Sequence, residues 1–479
     1  MQLNSYLFIL FFLPLSVGIY FLANRWGLLW GKIALIAGCF VFYAWGGQST
    51  LWVLGLSLAV NYLCALLQVR HPKKWVLALP LVLNIGLLAF YKYWNPIWGA
   101  VGPRFGTDFT LQHLILPLGI SFFTFQQIAY QVSLYRGELE GPVLTDYLCY
   151  ILYFPKLAMG PLMEPVDFMQ QLNDPSRKKI SSLHIAQGLR MFSFGLFKKM
   201  LLADVFAGAV NWVFANEATS MDYLIGMLCY TLEIYFDFSG YSDMAVGISH
   251  MLNITLPINF DSPYQSLNIR EFWKRWHISL TKFFTKYLYI PLGGSRKGLV
   301  RTCLLTVFVF LVSGLWHGTG LTFLLWGLLN GLLMVFDRLT EKRQQRLFGP
   351  FRWLMTFGAI NILWLLFRAG SIHEWVSALF TLFSMQSTEI GPGLIQCFEL
   401  KELNLLASKL PLGFLFSNFR GVFFNLYMVF GLVLCLGCRN NYRRMDKKLT
   451  FPDLVLTVIA FTWSLICLGG ETTFVYAWF

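Results

Sequence analysis

Two histidines stand where ionisable side chains are rare. His317 lies in FLVSGLWHGTGLTFLLWG, at a glycine-flanked break between two apolar runs, and His277 lies in EFWKRWHISL. Charged groups at membrane depth cost on the order of 2.5 to 3.5 kcal/mol on insertion scales, so they face a cavity or a partner and mark function. An imidazole, with an unperturbed pKa of about 6.5, is largely neutral at pH 7 and can take a hydroxyl proton and return it. His317 is therefore the candidate general base. Gly314, Gly318 and Gly320 beside it permit close approach of backbone or substrate, and Trp316 and Trp326 suit the wall of an apolar channel. A packed structural histidine is the alternative. A metal ligand is disfavoured, because no second ligand sits at His-x-x-x-His spacing.

A second constellation is YTLEIYFDFSGYSDMAVGISHML, where Glu233, Asp237 and Asp243 interrupt an apolar run. Glu233 and Asp237 are four apart and share a helix face. Unpaired buried carboxylates are costly, so these acids should find cations or backbone donors. Arg270, Lys274 and Arg275 are the cations expected to seat them, giving Glu233, Asp237, Ser239 and Asp243 a structural rather than a catalytic role. Neither Ser239 nor Ser242 has the strand-to-helix elbow of a hydrolase nucleophile. The stretch 263 to 292 mixes basic and aromatic residues, with Phe272, Trp276, Phe283 and Tyr287 near one helical face. Together with PLGGSRKG it suits either an anionic donor, carrier protein or lipid headgroup on the cytoplasmic side, or plain positive-inside topology. PLGGSRKG lacks the spacing of a phosphate loop. His71, His184 and His373 neighbour predicted loops, and His113 and His250 sit near span ends. Cys435 and Cys438 form a lone C-x-x-C, read as two helix-end thiols, and the odd total of nine cysteines argues against a disulfide framework.

The elements that hold these residues must be membrane helices. The chain is 57% hydrophobic and only 13% charged, about half the roughly 25% usual for soluble domains. Lys and Arg exceed Asp and Glu by 37 to 24; in so apolar a chain this reads as cytoplasmic loop charge and not as a nucleic-acid footprint. About twelve segments approach the roughly 20 apolar residues a span requires. They lie near 5–23, 28–45, 50–69, 74–93, 111–131, 187–215, 222–250, 300–317, 321–337, 352–367, 421–438 and 451–468. The basic groups Arg25 and Lys32, Arg70 to Lys74, Arg177 to Lys179, Arg338 to Arg346 and Arg439 to Lys448 fall on one side, placing both termini outside. The first apolar run carries no basic residue before it, the opposite of a signal peptide. Residues 145–165 and 263–292 fit interfacial or re-entrant segments, and 370–420 is less apolar, with Gly and Pro breaks. No linker or repeat divides the chain, so 1–479 reads as one all-α, polytopic membrane domain.

The runs PLGISFFTFQQIAY, IYFDFSGYSDMAVG, PYQSLNIREFWKRWHISL, YLYIPLGGSRKG and GLWHGTGLTFLLWG resemble the membrane-bound O-acyltransferase superfamily. They look most like its bacterial alginate O-acetyltransferase branch, which includes peptidoglycan O-acetyltransferases and, more distantly, teichoic-acid D-alanyltransferases. The match runs in order from the start to the closing FVYAWF, with a motif core at about 111–340. The resemblance implies a ring of helices around a central channel, with His317 and His277 as the two functional histidines. It also implies an acyl thioester such as acetyl-CoA as donor substrate, with no bound cofactor or metal. A polysaccharide acceptor, a separate periplasmic or extracellular acyl-transfer protein and the bacterial inner membrane complete what it implies. Lys286, Asn330 and Ser133 depart from the family pattern, where an acid, a His and an Asp are common. With the resemblance, Trp316, Trp273, Trp276, Arg270 and Lys274 become the expected substrate-binding residues. Two competing classes are a transporter that uses the membrane acids and histidines as a proton relay, and a non-catalytic scaffold for polysaccharide export.

Overall fold

A computed structural model describes residues 2–106, 110–111, 114–399, 420–445 and 449–469. It is 78% helical and has no strand among the described residues. Among these, seven helices are long and apolar enough to cross a membrane: Leu28–Gly46, Gln48–Arg70, Lys74–Phe105, Leu299–His317, Leu321–Gln344, Gly349–Arg368 and Phe451–Gly469. Phe8–Asn24 and Gly421–Leu436 are apolar but shorter. The protein is a polytopic membrane protein, with seven full-length spans among the described residues against the dozen or so expected over the whole chain. The reasons are local. The run at 111–131 yields only helix Ile120–Tyr135, because Gly119 takes a left-handed conformation at φ 68° and starts the helix late. The runs at 187–215 and 222–250 are helical but carry charges inside them. The first is Ser182–Phe197, a π-helical turn at Lys198–Ala203 and Asp204–Ala215; the second is Ser220–Met251. His113, part of 370–420, the last residues of the Arg439 to Lys448 run and the closing FVYAWF lie outside the described residues.

The expected interfacial stretches are short helices. Residues 145–165 fall in Leu144–Leu152 and Phe154–Leu157, and 263–292 in Ile269–Arg275, Ile278–Phe284 and a π turn at Thr285–Tyr289. Within 370–420, Ile372–Ser384 and Pro392–Gln396 are helical.

The chain gathers into two compact units. The first takes its described residues from Met1–Phe192 and Met244–Pro257. Its helices are tied by buried amides: Asn61 and Asn84 exchange hydrogen bonds of 3.1 and 2.7 Å, and Gln131 donates to the Asn61 carbonyl at 2.7 Å. Such bonds between helices, and not hydrophobic burial, distinguish one packing from another in lipid. Lys32 and Asp146 form a buried ion pair.

The second unit draws on Ser193–Asp243 and Ile258–Phe479 and holds every residue singled out for chemistry. Its tightest element is the hairpin of Leu299–His317 and Leu321–Gln344. Gly314 and Gly327 face each other, where a Cβ on Gly327 would collide with the Phe310 carbonyl oxygen and one on Gly331 would come within 2.8 Å of Val307 Cα. Small residues let the backbones touch, as the Gly-x-x-x-Gly pattern of Gly327 and Gly331 permits.

Candidate active site

His317 is the last residue of its helix, and the chain turns within Gly318, Thr319 and Gly320 before re-entering helix at Leu321. A Cβ at Gly318 would strike the Phe323 ring, which would have to move to admit it. The turn sets the imidazole among the rings of Trp316, Trp326 and Phe367, with centroids 4.8, 5.2 and 5.3 Å away. His317 is 4% exposed.

His277 sits at the joint between Ile269–Arg275 and Ile278–Phe284 in a left-handed conformation, φ 43° and ψ 52°. That region is uncommon for residues with a Cβ and persists where the surroundings enforce it. Asn259 does much of the enforcing. Its carbonyl accepts from Ile278 N at 3.0 Å, its Oδ1 accepts from the Ser279 hydroxyl at 2.6 Å, and its Nδ2 donates to Ser242 Oγ at 3.2 Å. The His277 ring packs on Phe238 at 4.6 Å and is 2% exposed. Neither ring nitrogen has a hydrogen-bond partner among the described residues. His277 lies outside the spanning helices, and burial pushes its pKa down to about 3, keeping it neutral.

The two histidines border one cavity of about 340 Å³. Trp273, Trp276, Trp326 and Trp364 supply its aromatic wall, and Arg270, Lys274 and Arg338 its cationic end. Lys274 and Thr285 are exposed, so the cavity communicates with the surface on that side. Trp273 Nε1 and Trp326 Nε1 have no hydrogen-bond partner among the described residues. Orphaned donors and a partnerless imidazole around an open volume are what a polar reactant would satisfy.

Of the residues expected to bind substrate, Trp273, Trp276, Arg270 and Lys274 line this cavity, whereas Trp316 lies against His317 without lining it. The acids lie elsewhere, and their partners differ from those expected. Asp237 pairs with Lys199 at 2.6 Å and Asp243 with Lys198 at 2.7 Å. Lys199 also reaches Asp204 at 2.8 Å. The expected cations are engaged otherwise: Arg270 with Asp337 at 2.8 Å and Glu341 at 3.0 Å, Arg275 with Glu271 at 2.7 Å. The π turn at Lys198–Ala203 brings both lysines to bear on helix Ser220–Met251, so the nearer cations in space are not the nearer ones in the motif. Glu233 is buried with no ion pair among the described residues, and Ser239 is buried.

Asn259 and Asp337 were not singled out from the sequence. Asp337 carried a signal, an acid one turn before Glu341 at the basic end of an apolar helix; Asn259 carried none beyond its place before PYQSLNIREFW. In the first unit, His184 and His250 have ring centroids 4.5 Å apart, with His184 Nδ1 2.7 Å from Asn253 Oδ1.

A model of the membrane-bound O-acyltransferase family, MBOAT, matches residues 105–371, a stretch that holds both histidines and the whole cavity lining. The chain is 37% identical over 421 residues to the peptidoglycan O-acetyltransferase of Helicobacter pylori, covering 78% of each chain. It is 33% identical over 433 residues to the probable alginate O-acetylase AlgI of Pseudomonas putida, covering 86% of this chain and 87% of the relative. A teichoic acid D-alanyltransferase of Streptococcus thermophilus is 27% identical over 47% of this chain and 58% of its own. The likeness is to acyl-transferring membrane proteins throughout, and by family match and coverage this chain is an acyltransferase belonging to the membrane-bound O-acyltransferase family.

Proposed function

We propose that the chain moves an acetyl group from a thioester donor, reached from the cytoplasm, across the membrane for O-acetylation of an extracytoplasmic, alginate-like polysaccharide. The observation that carries this is the single cavity bordered by His277 and His317 and ended by Arg270, Lys274 and Arg338. Lys274 and Arg338 at the rim, beside an Arg270 already paired with Asp337 and Glu341, attract a polyanionic carrier such as acetyl-CoA, and the aromatic wall excludes water from a reactive thioester. His317 takes the acceptor hydroxyl proton as that oxygen attacks the carbonyl carbon. The C–S bond breaks, the proton passes from the imidazolium to the departing sulfur, and an ester and a free thiol result. General-base help of this kind contributes roughly 10² to 10⁴ in rate. His277, neutral and held by its backbone clamp, positions the donor. We place the protein in the bacterial inner membrane with both termini outside, working with a periplasmic or extracellular acyl-transfer protein that carries the group to the polymer.

Peptidoglycan is the second acceptor reading, favoured by the 37% identity to the Helicobacter enzyme against 33% to the alginate protein. Purified protein in vesicles, given acetyl-labelled acetyl-CoA outside and alginate oligomers or peptidoglycan fragments as acceptor, tests both. Labelled ester on alginate is expected. Ester on peptidoglycan alone selects the second reading, and label that is relocated with no ester formed refutes transfer and leaves a transporter.

A further inference from the structure

Helix Leu13–Asn24 in the first unit leaves one face uncovered. Leu15, Ile19 and Leu22 are 61%, 45% and 48% exposed, and their spacing puts them on one side of the helix. They wall a groove of about 980 Å³ that Gly18, Phe21 and Ile180 also line. Where the helix stops, the lining changes character: Arg25, Lys178 and Lys179 border the groove and no carboxylate does. Among the described residues the ion pairs Lys32 with Asp146 and Arg177 with Asp174 leave Arg25 and Lys179 without an acidic partner. Lys178 is held in place, its Nζ donating to the Tyr20 hydroxyl and the Gln171 carbonyl, each at 3.2 Å. Burial lowers that amine to about 8, so its charged form gains from an arriving anion.

The groove also has a telling length. From Leu15 to Arg25 the helix rises about 15 Å at 1.5 Å per residue, half of a hydrocarbon core about 30 Å thick. An apolar trough one leaflet long, closed by three cations, complements an acyl chain joined to a phosphate. We propose that this groove binds one anionic phospholipid, its chain along Leu15, Ile19 and Leu22 and its phosphate at Arg25, Lys178 and Lys179. A zwitterionic headgroup would bring its own cation against the three basic residues. Loop charge that serves topology alone needs neither a groove nor selectivity.

Native mass spectrometry of the full chain in detergent, with equimolar phosphatidylglycerol and phosphatidylcholine, tests the site. The unmodified protein is expected to retain phosphatidylglycerol in preference. Arg25→Gln with Lys179→Gln removes two cations and is expected to lower phosphatidylglycerol retention on the order of tenfold, leaving phosphatidylcholine unchanged. A Cβ at Gly18 meets nothing within 4 Å and Gly18 lines the groove, so Gly18→Leu puts its side chain into the trough and should reduce retention of both lipids at an unchanged unfolding temperature. Equal retention of both lipids by the unmodified protein overturns the proposal. So does undiminished phosphatidylglycerol retention in either variant, or its displacement by millimolar glycerol phosphate, which marks a site for soluble phosphates.

Discussion

The lysine–aspartate layer and the histidine cavity both bury ionisable groups inside the second unit, and they treat those groups in opposite ways. Lys199 answers two carboxylates and Lys198 a third, all within 2.8 Å, so that each lysine meets opposite charge at hydrogen-bond distance. Around the cavity, His277 keeps both ring nitrogens without a hydrogen-bond partner among the described residues, and so does the indole nitrogen of Trp273. A region whose polar groups satisfy one another has finished its chemistry on folding. One that leaves them facing an open volume is equipped for a reactant. On the proposed function the contrast separates buried polar residues that build from those that act, with Glu233, buried and without an ion pair among the described residues, falling outside it.

Substitutions test that division. The largest effect is expected at His317→Ala: acetyl-ester formation should fall roughly 10² to 10⁴-fold while the unfolding temperature stays put. A folded variant that still works at the normal rate would erase the functional half of the contrast. Asp243→Ala should do the reverse, destabilising the protein by about 3 to 5 kcal/mol because it leaves Lys198, its side chain only 14% exposed, without its acidic partner, read as lost thermal stability in detergent. Asp243→Leu combined with Lys198→Met is expected to recover much of that loss, since an apolar pair of similar volume replaces a pair that no other carboxylate shares among the described residues. Failure to recover would show that the layer does more than support.

Acid sharpens the comparison further. His277 is neutral in the folded chain down to about pH 3 and takes up a proton near 6.5 when unfolded. Its folded-state pKa is depressed, so its contribution to stability is complete above about pH 6.5 and shrinks as pH falls toward 3. Thermal unfolding between pH 6.5 and 4 should therefore show the parent losing up to about 1.4 kcal/mol per pH unit more than His277→Gln; parallel curves would mean that the ring is not desolvated in the folded chain. The smallest expected effect concerns backbone alone. His277→Gly should be more stable than His277→Ala by about 1 kcal/mol, because only glycine occupies the left-handed region without strain, and equal unfolding temperatures would argue against an enforced φ.

Much of this was legible in the residues. His277 and His317 stand out because ionisable side chains in apolar runs have few innocent explanations, and the all-helical membrane fold follows from hydropathy. The partners of the acids were not legible. Helical period places Glu233 and Asp237 on one face, but says nothing about which neighbouring helix meets it. Lys198 and Lys199 were hidden inside a run that reads simply as a span. Span boundaries were hard to read for a related reason: hydropathy measures how apolar a stretch is, while Gly119 and the short joints at His277 and around Pro155 decide where helices begin and stop. Asn259 was invisible because its work is done through a loop, where spacing carries no geometry.

The glycine seam of the Leu299–His317 and Leu321–Gln344 hairpin bears on acyl-length selectivity. Backbones that already touch at Gly314, Gly327 and Gly331 cannot slide closer, and spreading them would forfeit the packing that holds the His317 turn. The same two helices present Val309, Phe310, Ser313 and Met334 to the chamber. With the acyl group held in this chamber as proposed, the seam acts as a fixed ruler, and trimming or lengthening those side chains is expected to change the size of group accepted while the helices that bear them stay in place.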